Sequence, residues 1–259
     1  MPGGVHPTAI VDSHARLAAD VEVGPYAVIG PDVEIAGGCR IGPHTVITGA
    51  TQIGPNCRIW QFASIGDAPQ DKKYSGEATR LEIGARNTIR EFCTLNRGTA
   101  QGGGVTRIGD DNWIMAYVHI AHDCQIGSRT IFANNAQLAG HVAVGDDAVL
   151  GGFTVVHQFC RIGAHSITGM GTILLQDIPP YVTASGNPAR AYGINSEGLR
   201  RRGFGPEPIA ALKRAYKALY RSSLTVEEAR EALVTQTATC PEIQPLLDFL
   251  AAPGRGIIR

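Results

Sequence analysis

The segment VEVGPYAVIGPDVEIAGGCRIGPHTVI, residues 21–47, places an aliphatic residue at every sixth position. The same spacing runs from Val5 to Ile65 without exception and, after an interruption, from Ile83 to Leu174 with one shift of phase and one break. A period of six fits neither a helix with 3.6 residues per turn nor an alternating strand of such length. It indicates short strands that are separated by turns and repeated many times.

A glycine often follows the aliphatic residue, which suits a turn where the backbone is crowded or where φ is positive. These positions are Gly24, Gly42, Gly54, Gly84, Gly109, Gly127, Gly145 and Gly163. The repeat resembles that of left-handed parallel β-helix proteins, in which three hexapeptides form one triangular coil with the aliphatic side chains inward. The resemblance also supplies the hand, because ordinary crossovers are right-handed. We therefore expect an all-β solenoid over residues 1–189, with loop insertions near 66–82 and 96–107.

The pattern changes period after GPEP at residues 205–208. Apolar residues then follow helical spacing, and Thr225 with Glu228 forms a capping box that opens a further helix. The helical positions are Ile209, Leu212, Tyr216, Leu219 and Tyr220. We expect a small α-helical domain at residues 190–259, covering the end of the solenoid.

Charge and hydropathy limit the functional classes. Lys+Arg and Asp+Glu both number 23, so no net charge points to nucleic acid. No apolar run approaches the roughly 20 residues that span a bilayer, and no basic and apolar leader is present, so we expect a cytoplasmic protein without membrane insertion. The basic excess from Arg190 onward could favour a phosphate or an acidic partner, although a solvated helix face explains such an excess more often.

Five of the six cysteines share one position in the repeat, four residues after the aliphatic residue. They are Cys39, Cys57, Cys93, Cys124 and Cys160. Other coils place alanine, threonine or valine there, so the position requires a small interior side chain. We therefore predict buried hydrophobic cysteines in a reducing compartment, not a zinc site or a disulfide framework.

The stretch HIAHDCQIG, residues 119–127, carries the chemistry. His122 and Asp123 come two and three residues after an inward aliphatic residue, at positions that the coil turns outward. Asp123 and His141 are one coil of 18 residues apart, so they should stack on neighbouring coils, with His119 close by. A single surface histidine is usually inert, but such a cluster indicates acid–base chemistry.

Several segments together are similar to the UDP-N-acetylglucosamine O-acyltransferase family, over nearly the whole chain. They are HIAHDC, ANNAQLAGHVAV, GGFTVVHQFCRIGAH, QDIPPYV, NSEGLRRRGF and QFASIGDAPQDKKYSGEATRLEIG. The resemblance implies transfer of an (R)-3-hydroxyacyl group from acyl carrier protein to the 3-position of the glucosamine unit of UDP-N-acetylglucosamine, the first step of lipid A biosynthesis. It also implies a homotrimer with sites between subunits, and no cofactor or metal.

In that mechanism His122 is the general base, since an imidazole with an ordinary pKa of about 6.5 accepts a proton near neutral pH. Asp123 orients the ring, as the carboxylate does in a serine-hydrolase triad. The backbone N–H of Gly140 matches the donor that stabilises the oxyanion.

The resemblance assigns further residues to substrate binding. The insertion after Ile65 supplies contacts to the sugar and phosphate, the wall of the cleft is rich in histidine, and the segment 195–204 contacts the nucleotide. From composition alone, the insertion would be a solvated loop and the arginine run a harmless helix flank. The matching positions are Gln70, Asp71, Lys73, His119, His141, His157, Gln158, Asn195, Glu197, Arg201 and Arg202.

Three positions depart from the family pattern. Met170 stands where long-chain members carry glycine at the far end of the acyl groove, so we predict a shorter chain, about ten carbons. Asn96 replaces a common histidine, which leaves open whether the acceptor is a 3-hydroxyl or a 3-amino sugar. Pro188 replaces another frequent histidine, without a predicted effect.

Two other classes of protein remain as alternatives. A zinc enzyme of the carbonic-anhydrase kind also brings histidines together on a hexapeptide solenoid, and needs three ligands with one open position. A noncatalytic scaffold would leave the stacked Asp123 and His141 without a purpose. The related N-acyltransferase has an additional N-terminal domain, for which we expect no room because the repeats begin at Val5.

Overall fold

The computed structural model describes residues 4–259, so only the first three residues of the predicted solenoid lie outside it. The chain forms a left-handed parallel β-helix of short strands, followed by a helical region, which confirms the predicted fold class. Successive strands enter three different sheets in turn, and each sheet is one face of a triangular prism. Three residues after Ile120, for example, the chain has already turned toward the next face.

Each face stacks its strands in parallel, coil upon coil. The first face contains β1 (Ile10–Val11), β4 (Val28–Ile29), β7 (Val46–Ile47), β10 (Ser64–Asp67), β13 (Thr94–Asn96), β16 (His119–Ile120), β19 (Gln137–Leu138), β22 (Val155–Val156) and β25 (Ile173–Leu174). The second contains β2 (Arg16–Leu17), β5 (Val33–Ile35), β8 (Ala50–Ile53), β11 (Arg80–Ile83), β14 (Val105–Ile108), β17 (Gln125–Ile126), β20 (Ala143–Val144) and β23 (Arg161–Ile162). The third contains β3 (Glu22–Val23), β6 (Arg40–Ile41), β9 (Arg58–Ile59), β12 (Thr88–Ile89), β15 (Trp113–Ile114), β18 (Ile131–Phe132), β21 (Val149–Leu150), β24 (Ile167–Thr168), β26 (Val182–Ser185) and β27 (Arg190–Ile194).

The interior of the prism is the column of repeat aliphatic residues. Ile29, Ile65, Ile120 and Leu138 are among the largest side chains that are completely buried. The five repeat cysteines share this interior as predicted, and all of them are free and buried. Each coil therefore contributes apolar side chains to one continuous core, and this core determines which residues remain on the outside.

The three edges of the prism join its faces and hold the residues with positive φ. The first edge, between the first and second faces, carries Asp123, His141 and Phe159 on successive coils. The second edge carries Asp147 and His165, and the third carries a column of aromatic residues.

The repeat glycines do not supply these positive φ values. Gly24 has no positive φ, and the left-handed residue is Tyr26, two positions later. The glycine is needed because a Cβ at Gly24 would lie 2.8 Å from the backbone nitrogen of Pro43 on the next coil. Of the two reasons that the sequence left open, a crowded backbone applies at these positions and a positive φ does not.

Two coils are longer than the 18-residue repeat. Ser64 pairs with Thr94 and Thr94 with His119, so these coils take 30 and 25 residues. The first insertion follows β10, and the second follows β13 and includes a short 3-10 helix, Ala100–Gly102. Both insertions leave the prism at the first edge, the edge that carries Asp123.

The C-terminal region begins with a strand. β27 pairs antiparallel with β26, so residues 190–194 extend the third face, and helices follow from Ser196. The helices are α1 (Ser196–Arg201), α2 (Pro206–Tyr220), α3 (Val226–Val234), a 3-10 turn (Pro241–Ile243) and α4 (Gln244–Ala251). The predicted capping box is present at the start of α3. Among residues 4–259, no helix combines the length and the apolarity needed to cross a membrane.

Candidate active site

His122 and Asp123 form a hydrogen-bonded pair at the first edge. His122 Nδ1 lies 2.8 Å from Asp123 Oδ2. The side chain of His122 is 14% exposed and that of Asp123 is 1% exposed. Because one ring nitrogen faces the carboxylate, Nε2 is the nitrogen available to a substrate proton, as a base requires.

Asp123 is not on an open surface, although its coil turns it outward. The second insertion folds over the carboxylate, and Thr99 donates to both of its oxygens, from the backbone N to Oδ1 at 2.8 Å and from Oγ1 to Oδ2 at 2.6 Å. The prediction of an outward position therefore needs correction. Periodicity places the residue outside the prism, but it does not reveal the loop that covers it.

His141 lies on the next coil, as the 18-residue spacing predicts. His141 Nε2 is 3.6 Å from Asp123 Oδ2, and the ring meets that of His122 edge-on, with centroids 5.1 Å apart. Its other side stacks on Phe159 at 4.3 Å. Burial lowers the pKa of His141, although the Asp123 charge acts in the opposite direction. The predicted cluster of His122, Asp123 and His141 is therefore present.

His119 lies on β16, directly before this cluster, and its Nδ1 is 2.7 Å from the Thr94 hydroxyl oxygen. Burial is the main cause of the lowered pKa of His119, and a hydrogen bond with the Thr94 backbone only partly offsets it. Loss of hydration disfavours an imidazolium, so His119 is held in its neutral form.

Gly140 borders the imidazole of His122. A Cβ at Gly140 would lie 2.4 Å from His122 Cε1 and 2.6 Å from Nε2, distances that no side chain tolerates. Within residues 4–259, no hydrogen bond from the Gly140 N–H to a protein acceptor is present. Gly140 and the Nε2 side of the His122 ring therefore border the same space.

The first insertion brings acidic and basic residues to this edge. Asp71 is near enough to His141 for its charge to oppose the lowering of the His141 pKa, whereas Gln70 and Lys73 are exposed. Asn96 is 4% exposed, and its Nδ2 donates to Ala68 O at 2.9 Å. Asn96 therefore lies beneath the first insertion and anchors the beginning of that loop by a hydrogen bond to Ala68 O.

Other predicted residues of the cleft lie farther along the prism. His157 and the exposed Gln158 occupy the first edge on the coil after His141, with His157 Nδ1 3.1 Å from Gln158 O. Met170 lies at the third edge and is 80% exposed. The first edge therefore gathers most of the predicted site, but not the residue expected to end the acyl groove.

The predicted nucleotide-binding residues lie at the second edge of the same chain. Asn195 caps α1 and donates to His165 O at 3.0 Å. Glu197 pairs with Arg201, and Arg202 with the buried Asp147. A single chain therefore does not bring these residues to His122.

Three side chains could hold a metal ion. His122, Asp123 and His141 each offer one ligand atom, and these atoms lie within 4.8 Å of one another. Asp123 Oδ2 already accepts hydrogen bonds from Thr99 and faces His122, so a metal would have to replace these partners.

Sequence reasoning missed Thr99, which holds Asp123, and the pair Arg97 and Tyr74, which ties the first insertion to the prism. Arg97 donates to the Tyr74 hydroxyl oxygen at 3.0 Å and to Gly66 O at 2.9 Å. The only sequence signal was the interruption of the hexapeptide phase, which marks a loop without giving its contacts.

Comparisons with known proteins agree with this architecture. A family model described as UDP N-acetylglucosamine O-acyltransferase, domain 2, matches residues 177–258, and one for bacterial transferase hexapeptides matches residues 14–49 and 106–140. The chain is 62% identical to an acyl-[acyl-carrier-protein]–UDP-N-acetylglucosamine O-acyltransferase of Thiobacillus denitrificans, over 98% of this chain and 99% of that protein. The chain belongs to the UDP-N-acetylglucosamine O-acyltransferase family.

Solved structures of acyltransferases have the same fold as this chain. The UDP-N-acetylglucosamine O-acyltransferase of Moraxella catarrhalis is 45% identical, with a TM-score of 0.97 over 98% of this chain and 99% of that chain. The acyltransferase of Francisella novicida is 40% identical, also with a TM-score of 0.97, over 99% and 94%. The chain is therefore an acyltransferase, which confirms the predicted enzyme class over a noncatalytic scaffold.

Proposed function

We propose that this acyltransferase moves an (R)-3-hydroxyacyl chain from acyl carrier protein to the glucosamine 3-position of UDP-N-acetylglucosamine, the first step of lipid A biosynthesis. The names of its relatives supply the substrates. The observation that carries the mechanism is the pair formed by His122 Nδ1 and Asp123 Oδ2 at 2.8 Å, with Nε2 facing Gly140. Acyl transfer to a hydroxyl needs a base and an oxyanion donor, and the first edge offers both.

His122 Nε2 takes the proton of the sugar hydroxyl as the oxygen attacks the thioester carbonyl carbon. The new C–O bond forms, and the carbonyl oxygen gains negative charge that the Gly140 N–H stabilises. The C–S bond then breaks, and the imidazolium returns the proton to the departing thiolate. Asp123, buried and hydrogen-bonded to His122, orients the ring and stabilises its cationic form.

We further propose a homotrimer with the site between subunits. One chain leaves Asn195, Glu197, Arg201 and Arg202 at the second edge, away from His122 at the first. A neighbouring copy that sets its second edge against this first edge would complete the site. His119, His141, His157, Gln158, Asp71, Gln70 and Lys73 would then line one side of the cleft, in the cytoplasm where the acyl carrier protein is available.

An exposed aromatic column supports association of copies. Tyr26, His44, Phe62, Phe92 and Tyr117 stack along the third edge, with neighbouring ring centroids 4.8–5.2 Å apart. Phe62 and Tyr117 are 49% and 51% exposed. A continuous row of half-exposed rings is uncommon on a monomer and typical of a protein interface.

The test measures acyl transfer from (R)-3-hydroxydecanoyl carrier protein to UDP-N-acetylglucosamine and, in parallel, to its 3-amino analogue. We expect the hydroxyl sugar to react and His122→Ala to reduce kcat by about 10²–10⁴-fold, the usual contribution of a general base. Transfer to the amino sugar alone would correct the acceptor atom and direct attention to the buried Asn96. Activity on neither sugar, together with bound zinc, would support the zinc alternative.

A further inference from the structure

The turn that follows β13 encloses the Asp123 carboxylate. Thr99 is 2% exposed and donates to both carboxylate oxygens, as described above. Its hydroxyl oxygen also accepts from Gly102 N at 3.2 Å, so its single proton is directed to Asp123 Oδ2. The orientation of the hydroxyl is therefore fixed by two partners.

Two glycines allow this close approach. A Cβ at Gly102 would lie 2.1 Å from Asp123 Cγ, and a Cβ at Gly98 would lie 2.8 Å from Asp123 Oδ1. Any larger residue at either position would push the turn away from the carboxylate. The chain between β13 and β14 is thus shaped around Asp123.

We infer that Thr99 is a positioning residue for the proposed reaction, and this inference rests on the proposed roles of His122 and Asp123. Asp123 Oδ2 is shared between the Thr99 hydroxyl and His122 Nδ1, so the threonine sets where the carboxylate meets the ring. It thereby keeps the proton on Nδ1 and leaves Nε2 as the base. A hydroxyl that donates to the carboxylate also moderates how strongly the carboxylate favours the imidazolium.

Thr106 provides a matched control. It is another completely buried threonine that contacts Asp123, but its Oγ1 accepts from the Asp123 backbone N at 2.8 Å. Thr99→Val and Thr106→Val therefore remove the same group from the same environment, and only the first removes a donor from the carboxylate. Thr99→Ser retains the donor and should restore the behaviour of the unmodified protein.

The experiment measures kcat, KM and the pH dependence of kcat/KM for the three variants. We expect Thr99→Val to lower kcat about 10-fold or more with little change in KM, because the lost hydrogen bond is to a charged group and such bonds are stronger than those between neutral groups. The acid limb of the profile should move to higher pH, because the unshared carboxylate stabilises the imidazolium more strongly. The other ionisable groups nearby, namely His119 and His141 beside His122 and Asp71 near His141, are the same in all variants.

Thr106→Val should reduce thermal stability without moving that limb. If both valine variants lower activity equally and neither moves the acid limb of the pH profile, Thr99 is only structural and the inference is overturned.

A substrate-independent measurement separates this outcome from a failure of the proposed function. The downfield NMR signal of the His122 Nδ1 proton, identified by its loss in His122→Gln, should persist in Thr99→Ser and shift in Thr99→Val, whatever the acceptor. An unchanged signal in Thr99→Val would contradict the inference.

Discussion

Arg202 and Asp147 form an ion pair between the helical region and the second edge of the prism. Arg202 Nη1 lies 2.5 Å from Asp147 Oδ1, and the side chain of Asp147 is only 6% exposed. His122 occupies the first edge, so in one chain the proposed base and the arginines of residues 200–202 lie at different edges of the prism. The neighbouring Arg201 has a side chain that is 78% exposed and is therefore available to another subunit.

This separation predicts complementation between two inactive variants. His122→Ala lacks the base, and Arg201→Ala lacks a cation that would face the substrate of a neighbouring subunit. Co-refolding equal amounts should restore about a quarter of the unmodified activity, because one in four random pairings of edges combines two intact partners. Activity is measured on mixed and on separately refolded proteins.

A mixture that remains as inactive as its components would place the whole site within one chain. Mixing His122→Ala with Asp123→Asn is the control, since both changes lie at the same edge. In a mixture of those two variants, every first edge lacks either the His122 imidazole or the Asp123 carboxylate, so no site is complete.

Gly140→Ala should abolish most activity while the protein still folds. The added methyl would lie 2.6 Å from His122 Nε2, so the ring must move away from the position next to the substrate. A displacement of this kind typically costs about 10²-fold in rate. Gly152→Ala is the control, because its Cβ would meet only Asn134 O, at 3.4 Å. Assays of both, with melting temperatures, would contradict the prediction if Gly140→Ala retained full kcat.

Arg97 and Tyr74 should control substrate binding through the first insertion. The Arg97 guanidinium holds the Tyr74 hydroxyl and lies over its ring, 5.6 Å from the centroid. Arg97→Met would release the loop that carries Asp71 and Lys73, so we expect KM for the nucleotide sugar to rise roughly 10-fold, with kcat nearly unchanged. Arg58→Met, at an exposed position of the third face, should leave both constants unchanged. A fall in kcat alone would show that the contact between Arg97 and Tyr74 affects the chemical step and not substrate binding.

Stability should fall between pH 7 and pH 5.5 because buried histidines resist protonation. Burial is the main cause of the lowered pKa of His165, which stacks on Tyr181. The unfolded chain protonates near its ordinary pKa of about 6.5, so below that pH the unfolded state binds more protons and folding is disfavoured. The carboxylates with lowered pKa values act only in more acidic solution, which separates the two effects.

Melting temperatures at pH 7.5, 6.5 and 5.5 test this explanation. His165→Gln should reduce the fall by a few degrees, since about 1 kcal/mol corresponds to roughly 2–4 °C in a chain of this size. His14→Gln is the control, because the side chain of His14 is 80% exposed. Equal slopes for the two variants would refute the role of His165.

The hexapeptide phase predicted the fold and part of the site for a physical reason. Inward positions are apolar in every coil except at Thr168, so the register could be read from Val5 onward, and a separation of 18 residues placed His141 beside Asp123. The loops carry no such repeated constraint. The contacts of Thr99 with Asp123 and of Asn96 with Ala68 depend on how each insertion folds, and no periodicity encodes them.

The binding residues were grouped by resemblance and not by coil position. Asn195 and Arg202 were assigned to one cleft with His122, although in one chain they lie at another edge. The resemblance implies a site assembled from several subunits, whereas the hexapeptide phase describes only a single prism. The difference between the two is itself the argument for a site shared by subunits.

Met170 should limit the acyl chain. It lies between Gly169 and Gly171 at the third edge and is 80% exposed, so in the proposed trimer its thioether would be free to project toward a neighbouring subunit. A bulky side chain there favours a chain of about ten carbons, and Met170→Gly should shift the preference toward about fourteen, because removing it extends the groove. Competition between carrier proteins with different chains measures the ratio of kcat/KM. Val46→Gly, at another exposed apolar position, should keep the original preference. An unmodified enzyme that already prefers fourteen carbons would show that the groove passes Met170, and its length would then have to be set elsewhere.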